Sequence, residues 1–87
     1  MESKVFAIVC ETHWEDFVNE KVVSDVFVHD WEAKDYIDKM EQVLRNDYNW
    51  EHHRPQYEEV VRTDDGVRCR YNKYNCAYKI VETTINL

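Results

Sequence analysis

Residues that break or turn the backbone are scarce in this chain, which has one glycine, Gly66, and one proline, Pro55, among 87 residues. Such a sequence contains no low-complexity linker and few loop signals. Its length accommodates a single domain, residues 1–87, with a small core. Apolar residues make up 44% of the chain and aromatic residues 14%, which is enough to favour a folded globule over a disordered chain.

Hydrophobic patterning predicts two strands and then a helix. Residues 4–11 are β-branched and aromatic, and residues 21–29 place valines on both faces of a second strand, so we expect an antiparallel hairpin with a long connection over residues 12–20. Asp30 is predicted to cap a helix over residues 31–45. The apolar stripe of this helix is formed by Ala33, Tyr36, Ile37, Met40 and Leu44.

The second half of the chain predicts a meander of three strands. Asp65-Gly66 between β-prone segments is a strong hairpin signal, and it joins residues 56–62 to residues 67–71. A turn over residues 72–75 then leads into a strand over residues 76–85. Because Pro55 also suits the first turn of a helix, segment 56–62 is compatible with a short helix as well.

The predicted fold class is therefore α+β. We expect an antiparallel sheet of four or five strands, in the order ββαβββ, with one helix packed on one face. Folds of this kind support many functions, so the fold by itself predicts no activity.

Charge is distributed unevenly along the sequence. The net charge is −7, but residues 1–59 hold fifteen acids against six Lys and Arg, whereas residues 60–87 hold three acids against five. Electrostatics governs partners and encounter rates more than it governs fold. The sequence therefore predicts an acidic surface and a separate basic one.

The acidic surface is the first candidate site. Carboxylates on the helix and in the first connection are suited to a basic groove of another protein, such as that of a nucleic-acid-binding enzyme, with exposed aromatic side chains as anchors. The predicted partner-binding residues are Trp14, Glu15, Asp16, Glu32, Asp35, Asp38 and Glu41. The competing interpretation is that the acidity only keeps a small protein soluble.

The closing hairpin is the alternative site. Arg68 and Arg70 share one face of a strand, and Lys79 is expected opposite Arg68, which suits a small anionic ligand such as a nucleotide. The predicted ligand-binding residues are Arg68, Arg70, Lys73, Tyr74 and Lys79. Pairing of these bases with nearby Glu side chains is the competing interpretation, and the net charge of −7 disfavours direct binding of nucleic acid.

Motifs for metal and enzyme chemistry are lacking in the sequence. His52 and His53 are adjacent, so they point to opposite faces of a strand, and no C-x-x-C or H-x-x-x-H spacing occurs. Cys69 and Cys76 are expected to be diagonal neighbours, too far apart for a disulfide, and to serve as small apolar core residues. We predict no metal, no cofactor and no enzymatic activity.

Location and assembly follow from similar arguments. The apolar segment over residues 5–10 is too short for a signal-peptide core or a membrane span. Three cysteines without framework spacing fit a reducing cytoplasm. Unpaired sheet edges predict a homodimer.

Size, charge and element order give the chain a resemblance to a group of small acidic phage and bacterial proteins. The features that carry it are a strand pair, the helix sequence Asp30-Trp31-Glu32-Ala33-Lys34-Asp35-Tyr36-Ile37, and a closing hairpin with the strand Tyr78-Lys79-Ile80-Val81-Glu82. Chains of this type include inhibitors of host defence, anti-CRISPR proteins among them, that block a nucleic-acid-binding enzyme or sequester its signal nucleotide. The resemblance implies a non-enzymatic inhibitor and assigns no functional residue.

Overall fold

Seven strands and one helix make up the part of the chain that the computed structural model describes, residues 2–15 and 17–86, with residues 17–19 described by their backbone. The elements are β1 (Glu2–Trp14), β2 (Phe17–Phe27), α1 (Asp30–Asn46), β3 (Tyr48–Asn49), β4 (Arg54–Pro55), β5 (Glu59–Arg62), β6 (Gly66–Tyr71) and β7 (Tyr74–Asn86). Five strands form one antiparallel sheet in the order β2-β1-β7-β6-β5, and β3 pairs with β4. The predicted α+β class is confirmed. The predicted order ββαβββ lacks β3 and β4.

Strand β1 is longer than predicted and lies between β2 and β7 in the sheet. It pairs with β7 along its whole length, from Glu2 opposite Asn86 to Trp14 opposite Tyr74. The predicted long connection over residues 12–20 is therefore wrong. The polar end of β1 stays extended because it has hydrogen-bonded partners on β7, and Glu15, with φ 57°, begins the turn into β2.

Helix α1 forms as its apolar spacing predicts, and it packs across one face of the sheet. Ala33 and Ile37 are fully buried and Leu44 is 6% exposed, and these side chains pack with Ile8, Val67, Cys69 and Cys76 of the sheet. Burying one side chain of the size of Ile37 stabilises a fold by roughly 1.5–3 kcal/mol. The helix is therefore held mainly by this stripe rather than by its ends.

The predicted N-cap is wrong by one residue. His29 is the N-cap and makes no side-chain capping bond, whereas Asp30 is the first helical residue. The Asp30 carboxylate instead accepts a bond of 3.3 Å from Lys34 Nζ, one turn further along. A carboxylate in the first turn still interacts favourably with the helix dipole.

Only the last part of segment 56–62 forms a strand, and the segment contains no helix. Strand β5 covers only Glu59–Arg62 and pairs with β6 through the hairpin that Asp65-Gly66 predicted. Gly66 is needed for a reason other than turn conformation, since its φ is not positive. A Cβ at Gly66 would lie 1.8 Å from the backbone oxygen of Tyr78, so only glycine permits this approach of β6 to β7.

The turn between β6 and β7 is shorter than predicted, and this changes the register of the hairpin. Only Asn72 and Lys73 separate the strands, and Asn72 adopts the left-handed φ of 54° that asparagine tolerates. Cys69 consequently lies directly opposite Cys76 instead of diagonal to it. Lys79 likewise lies opposite Gly66, whereas the sequence predicts it opposite Arg68.

The second face of the sheet, here called the open face, lies away from α1. Val5, Ala7 and Val9 alternate with the residues that face the helix, yet they are only 4–7% exposed. Valines on the flanking strands enclose them and remain half exposed themselves; these are Val23, Val26 and Val81. Val61, Ala77 and Ile85 also lie on this face, together with polar side chains that include the two arginines of β6.

Candidate functional site

The predicted acidic residues do not form one surface. Trp14 lies at the far end of β1 and packs against Tyr74, with ring centroids 6.0 Å apart. Eight positions separate it from Phe6, which pairs with Phe27 just before the helix, so the two regions are roughly 26 Å apart along the strand. Glu15 contacts Lys73 at 3.3 Å, and Asp16 lies outside the described residues.

Two of the predicted helix acids are bound to cations of the protein itself. Arg62 of β5 donates to the carboxylates of both Asp38 and Glu41, and Glu41 also accepts a bond of 2.8 Å from Arg45. The bonds from Arg45 and Arg62 lower the pKa of the Glu41 carboxyl. This acidic cluster therefore ties the helix to the sheet edge, and its charge is largely neutralised within the molecule.

Glu32 and Asp35 lie in a different setting, at the start of the helix. A cavity of about 260 Å³, here called the aromatic–acidic notch, is lined by Phe27, Trp31, Glu32, Asp35, Tyr36 and Lys39. The Trp31 side chain is 65% exposed and stacks on the His29 ring, with centroids 6.0 Å apart. The structure thus brings together two of the predicted acids with an exposed tryptophan.

Of the two carboxylates in the notch, one is already paired with a lysine and the other is not. The Asp35 carboxylate is 2.9 Å from Lys39 Nζ and is paired. Glu32 is half-buried and has no cationic partner within 4.0 Å among residues 2–15 and 17–86. Phe27 and Tyr36 also line the notch, with ring centroids 5.7 Å apart. An aromatic face beside a free carboxylate is the environment that a cationic side chain prefers.

The predicted ligand-binding residues are split between the two faces of the sheet. Arg68 and Arg70 share the open face, as predicted from strand alternation. Tyr74 faces the helix side and packs against the core, so it cannot stack on a ligand beside these arginines. Lys73 lies in the turn and pairs with Glu15, and Lys79 is 3.9 Å from Glu11.

Arg70 bears out the competing interpretation of the basic residues. Its guanidinium bonds Glu58 at 2.7 Å and Glu59 at 3.4 Å. Arg68 and Arg70 line a second cavity, of about 230 Å³, together with His13, Asn75 and Ala77. Sequence reasoning missed these three residues, because only the pairing of β1, β7 and β6 brings them together on one face of the sheet.

The three cysteines form one cluster between the sheet and the helix. Cys10 Sγ is 3.5 Å from Cys76 Sγ, and Cys76 lies opposite Cys69. Burial raises the pKa of the Cys10 thiol to about 11, and the hydrogen bond with Cys69 together with burial raises the pKa of Cys76. Both thiols are therefore protonated at neutral pH, as expected for core residues rather than nucleophiles.

Comparison with protein-family models, with curated proteins and with solved structures finds no match for this chain. Its resemblance to host-defence inhibitors stays a prediction. Among residues 2–15 and 17–86, no helix is long and apolar enough to cross a membrane. Within the same residues, no group of three His, Cys, Asp or Glu side chains is arranged to hold a metal ion.

Proposed function

We propose that this protein is a non-enzymatic interaction protein that binds a basic surface of another protein. The aromatic–acidic notch receives one Lys or Arg side chain of that partner. The observation that carries this proposal is the shared cavity of Trp31, which is exposed, and Glu32, whose carboxylate has no described cationic partner. A cation on an exposed tryptophan face gains about 0.5–1 kcal/mol, and a free carboxylate beside it adds a charge-assisted hydrogen bond.

The long-range charge of the protein supports the same partner. Among residues 2–15 and 17–86, eight carboxylates have no Lys, Arg or His nitrogen within 4.0 Å. They are Glu2, Glu20, Asp25, Glu32, Asp47, Glu51, Asp64 and Asp65. They are spread over the molecule, so they raise the rate of encounter with a basic partner without defining where it docks. The notch supplies the specific contact.

Binding through Asp38 and Glu41, as the sequence suggested, is supported less well. An incoming cation would have to displace Arg62 from both carboxylates. Such a displacement gains little, because one charge-assisted bond replaces another. We therefore place the contact at the first two turns of the helix.

The notch can be tested with a hexa-arginine peptide as the probe. Its binding is followed at low ionic strength by the NMR shifts of the backbone amides of residues 32–36, which all of the variants retain. We expect Trp31→Ala and Glu32→Gln each to weaken binding about fivefold, the equivalent of about 1 kcal/mol. Matched controls are Trp50→Ala and Glu51→Gln, because Trp50 is 75% exposed and both residues lie outside the notch.

The controls decide between a site and a diffuse attraction. Equal weakening by the notch variants and by the controls would mean that the peptide responds only to net charge, and the proposal would be wrong. A loss confined to the notch variants supports it. Because peptide binding to an acidic protein is screened by salt, all titrations are made at one ionic strength.

The identity of the partner calls for a second experiment. Val28 and Val43 are similarly exposed, at 63% and 61%, and Val28 lies beside the notch in the connection between β2 and α1. A photo-cross-linking residue at position 28, but not at position 43, is expected to capture a basic protein from a host lysate. If the partner is a nucleic-acid-binding enzyme, its nucleic acid will compete with the cross-link.

A further inference from the structure

We infer that the open face holds a site for one small oxyanion, a phosphate or carboxylate group, between Arg68 and Arg70 above Ala77. This site, here called the anion pocket, is the cavity of about 230 Å³ described above. It lies on the face of the sheet away from α1 and does not depend on the proposed function of the notch.

Strand pairing explains why a pocket forms at this point. Ala77 of β7 lies directly opposite Arg68 on one side and opposite Glu11 on the other. In the next row, Asn75 lies between His13 and Arg70. The small side chain of Ala77 is thus surrounded by long polar ones, which leaves a depression with a methyl group at its floor.

The charges around the pocket favour an anion. Nine of the eleven Lys and Arg have a carboxylate within 4.0 Å, and in a chain with this excess of acid a lone cation is unusual. Of the other two, Arg54 is held by the Tyr71 ring and hydroxyl. Arg68 is exposed and has no side-chain partner among residues 2–15 and 17–86.

The second guanidinium is held in place beside the first. Arg70 is two positions along the same strand, about 6.6 Å away, and its bonds to Glu58 and Glu59 fix its direction. Those two carboxylates compensate the charge of Arg70, so Arg68 supplies the uncompensated positive charge of the pocket and Arg70 adds N–H donors beside it. The Asn75 amide and the His13 ring offer further donors, and the Glu59 carboxylate, which also lines the pocket, accepts a bond of 3.4 Å from Arg70.

The size of the pocket limits the ligand. Sites for drug-sized ligands occupy about 300–1,000 Å³, so this smaller pocket suits one oxyanion group rather than a whole nucleotide. Tyr74, the predicted stacking residue, is on the opposite side of the sheet. The ligand is therefore one planar or tetrahedral oxyanion group, carried by a small molecule or at the end of a larger one.

The pocket can be tested by NMR titration of the intact protein with sodium phosphate and, separately, sodium acetate, with ionic strength held constant by sodium chloride. We expect saturable shifts of the Arg68 side-chain N–H and of the amides at 75–77. Arg68→Gln should weaken binding about tenfold, since a charge-assisted pair of bonds is lost. Ala77→Leu should do the same by filling the floor while all charges remain.

Arg54→Gln is the matched control, because it removes one positive charge outside the pocket. Saturation by phosphate alone or by acetate alone supports the site and assigns its oxyanion class. Shifts that stay linear with concentration, or that Arg54→Gln reduces as much as Arg68→Gln does, overturn it. Because Arg68 is exposed, its variant is expected to fold, and a thermal melt confirms this. Neither outcome affects the hexa-arginine experiment on the notch.

Discussion

Arg62, the last residue of β5, donates to Asp38 on helix α1 and so ties the short edge strand to the helix. The same guanidinium contacts Glu41 at 3.3 Å. Arg62→Gln should lower the free energy of unfolding by no more than about 1 kcal/mol, because the pairs are partly exposed and screened by solvent. Urea denaturation of the variant measures this; a loss several times larger would show that the pair holds the helix in place.

Acid stability should depend on Glu41. Because Arg45 and Arg62 lower its pKa in the folded protein below the ordinary value of 4.5, folding favours the ionised form. The resulting stabilisation is complete above the unfolded pKa and is lost as pH falls through the folded pKa. We expect Glu41→Gln to lose less stability than the wild type between pH 5 and pH 3 in urea titrations, with Glu51→Gln as the control. Parallel curves for all three proteins would contradict this linkage.

Gly66→Ala should be strongly destabilising. The added Cβ would meet the backbone oxygen of Tyr78, which cannot move without disturbing the β6–β7 ladder. We expect a loss of about 3 kcal/mol, measured by urea denaturation, or failure to fold. Asp64→Ala, at an exposed position of the same turn, is the control. A Gly66→Ala protein as stable as that control would show that the strands can separate at this point.

Burial predicts that truncating two different isoleucines lowers the free energy of unfolding by unequal amounts. Ile37 on α1 is fully buried against the sheet, whereas Ile85 on β7 is 42% exposed. Ile37→Ala should cost about 2–5 kcal/mol, since it leaves a cavity, and Ile85→Ala less than about 1 kcal/mol. Thermal melts of the two variants test the difference. If another molecule covers the open face, the Ile85 cost will rise with protein or partner concentration.

The thiols should be slow to react in the native protein: the pKa values of Cys10 and Cys76 are raised, and Cys69, whose pKa the hydrogen bond with Cys76 lowers, is protected by burial. With a pKa of about 11, the fraction of Cys10 present as thiolate at pH 8 is on the order of one in a thousand. We expect the reaction with Ellman's reagent to be complete only after unfolding in urea. Rapid reaction of one thiol in the native protein would indicate that the cluster opens, and Cys10→Ser would show whether Cys10 is the thiol involved.

Local sequence pattern was sufficient to predict the helix and the existence of most strands. The spacing of Ala33, Ile37 and Leu44 predicts a buried stripe whatever the sheet looks like, because helical geometry places these residues on one face. Alternation likewise placed Arg68 and Arg70 on one face. These properties depend on neighbours within a few positions, and such neighbours are visible in the sequence.

The sites depend on contacts between distant segments, which only the tertiary structure decided. A turn of two residues rather than four moved Cys69 opposite Cys76 and Arg68 opposite Ala77. Pairing with β7 extended β1 as far as His13 and Trp14, whose polar surroundings had suggested a loop. The notch likewise needs Phe27 of β2 beside Trp31 of α1. Register and packing are set by the sum of many weak long-range contacts, so no single segment of the sequence contains them.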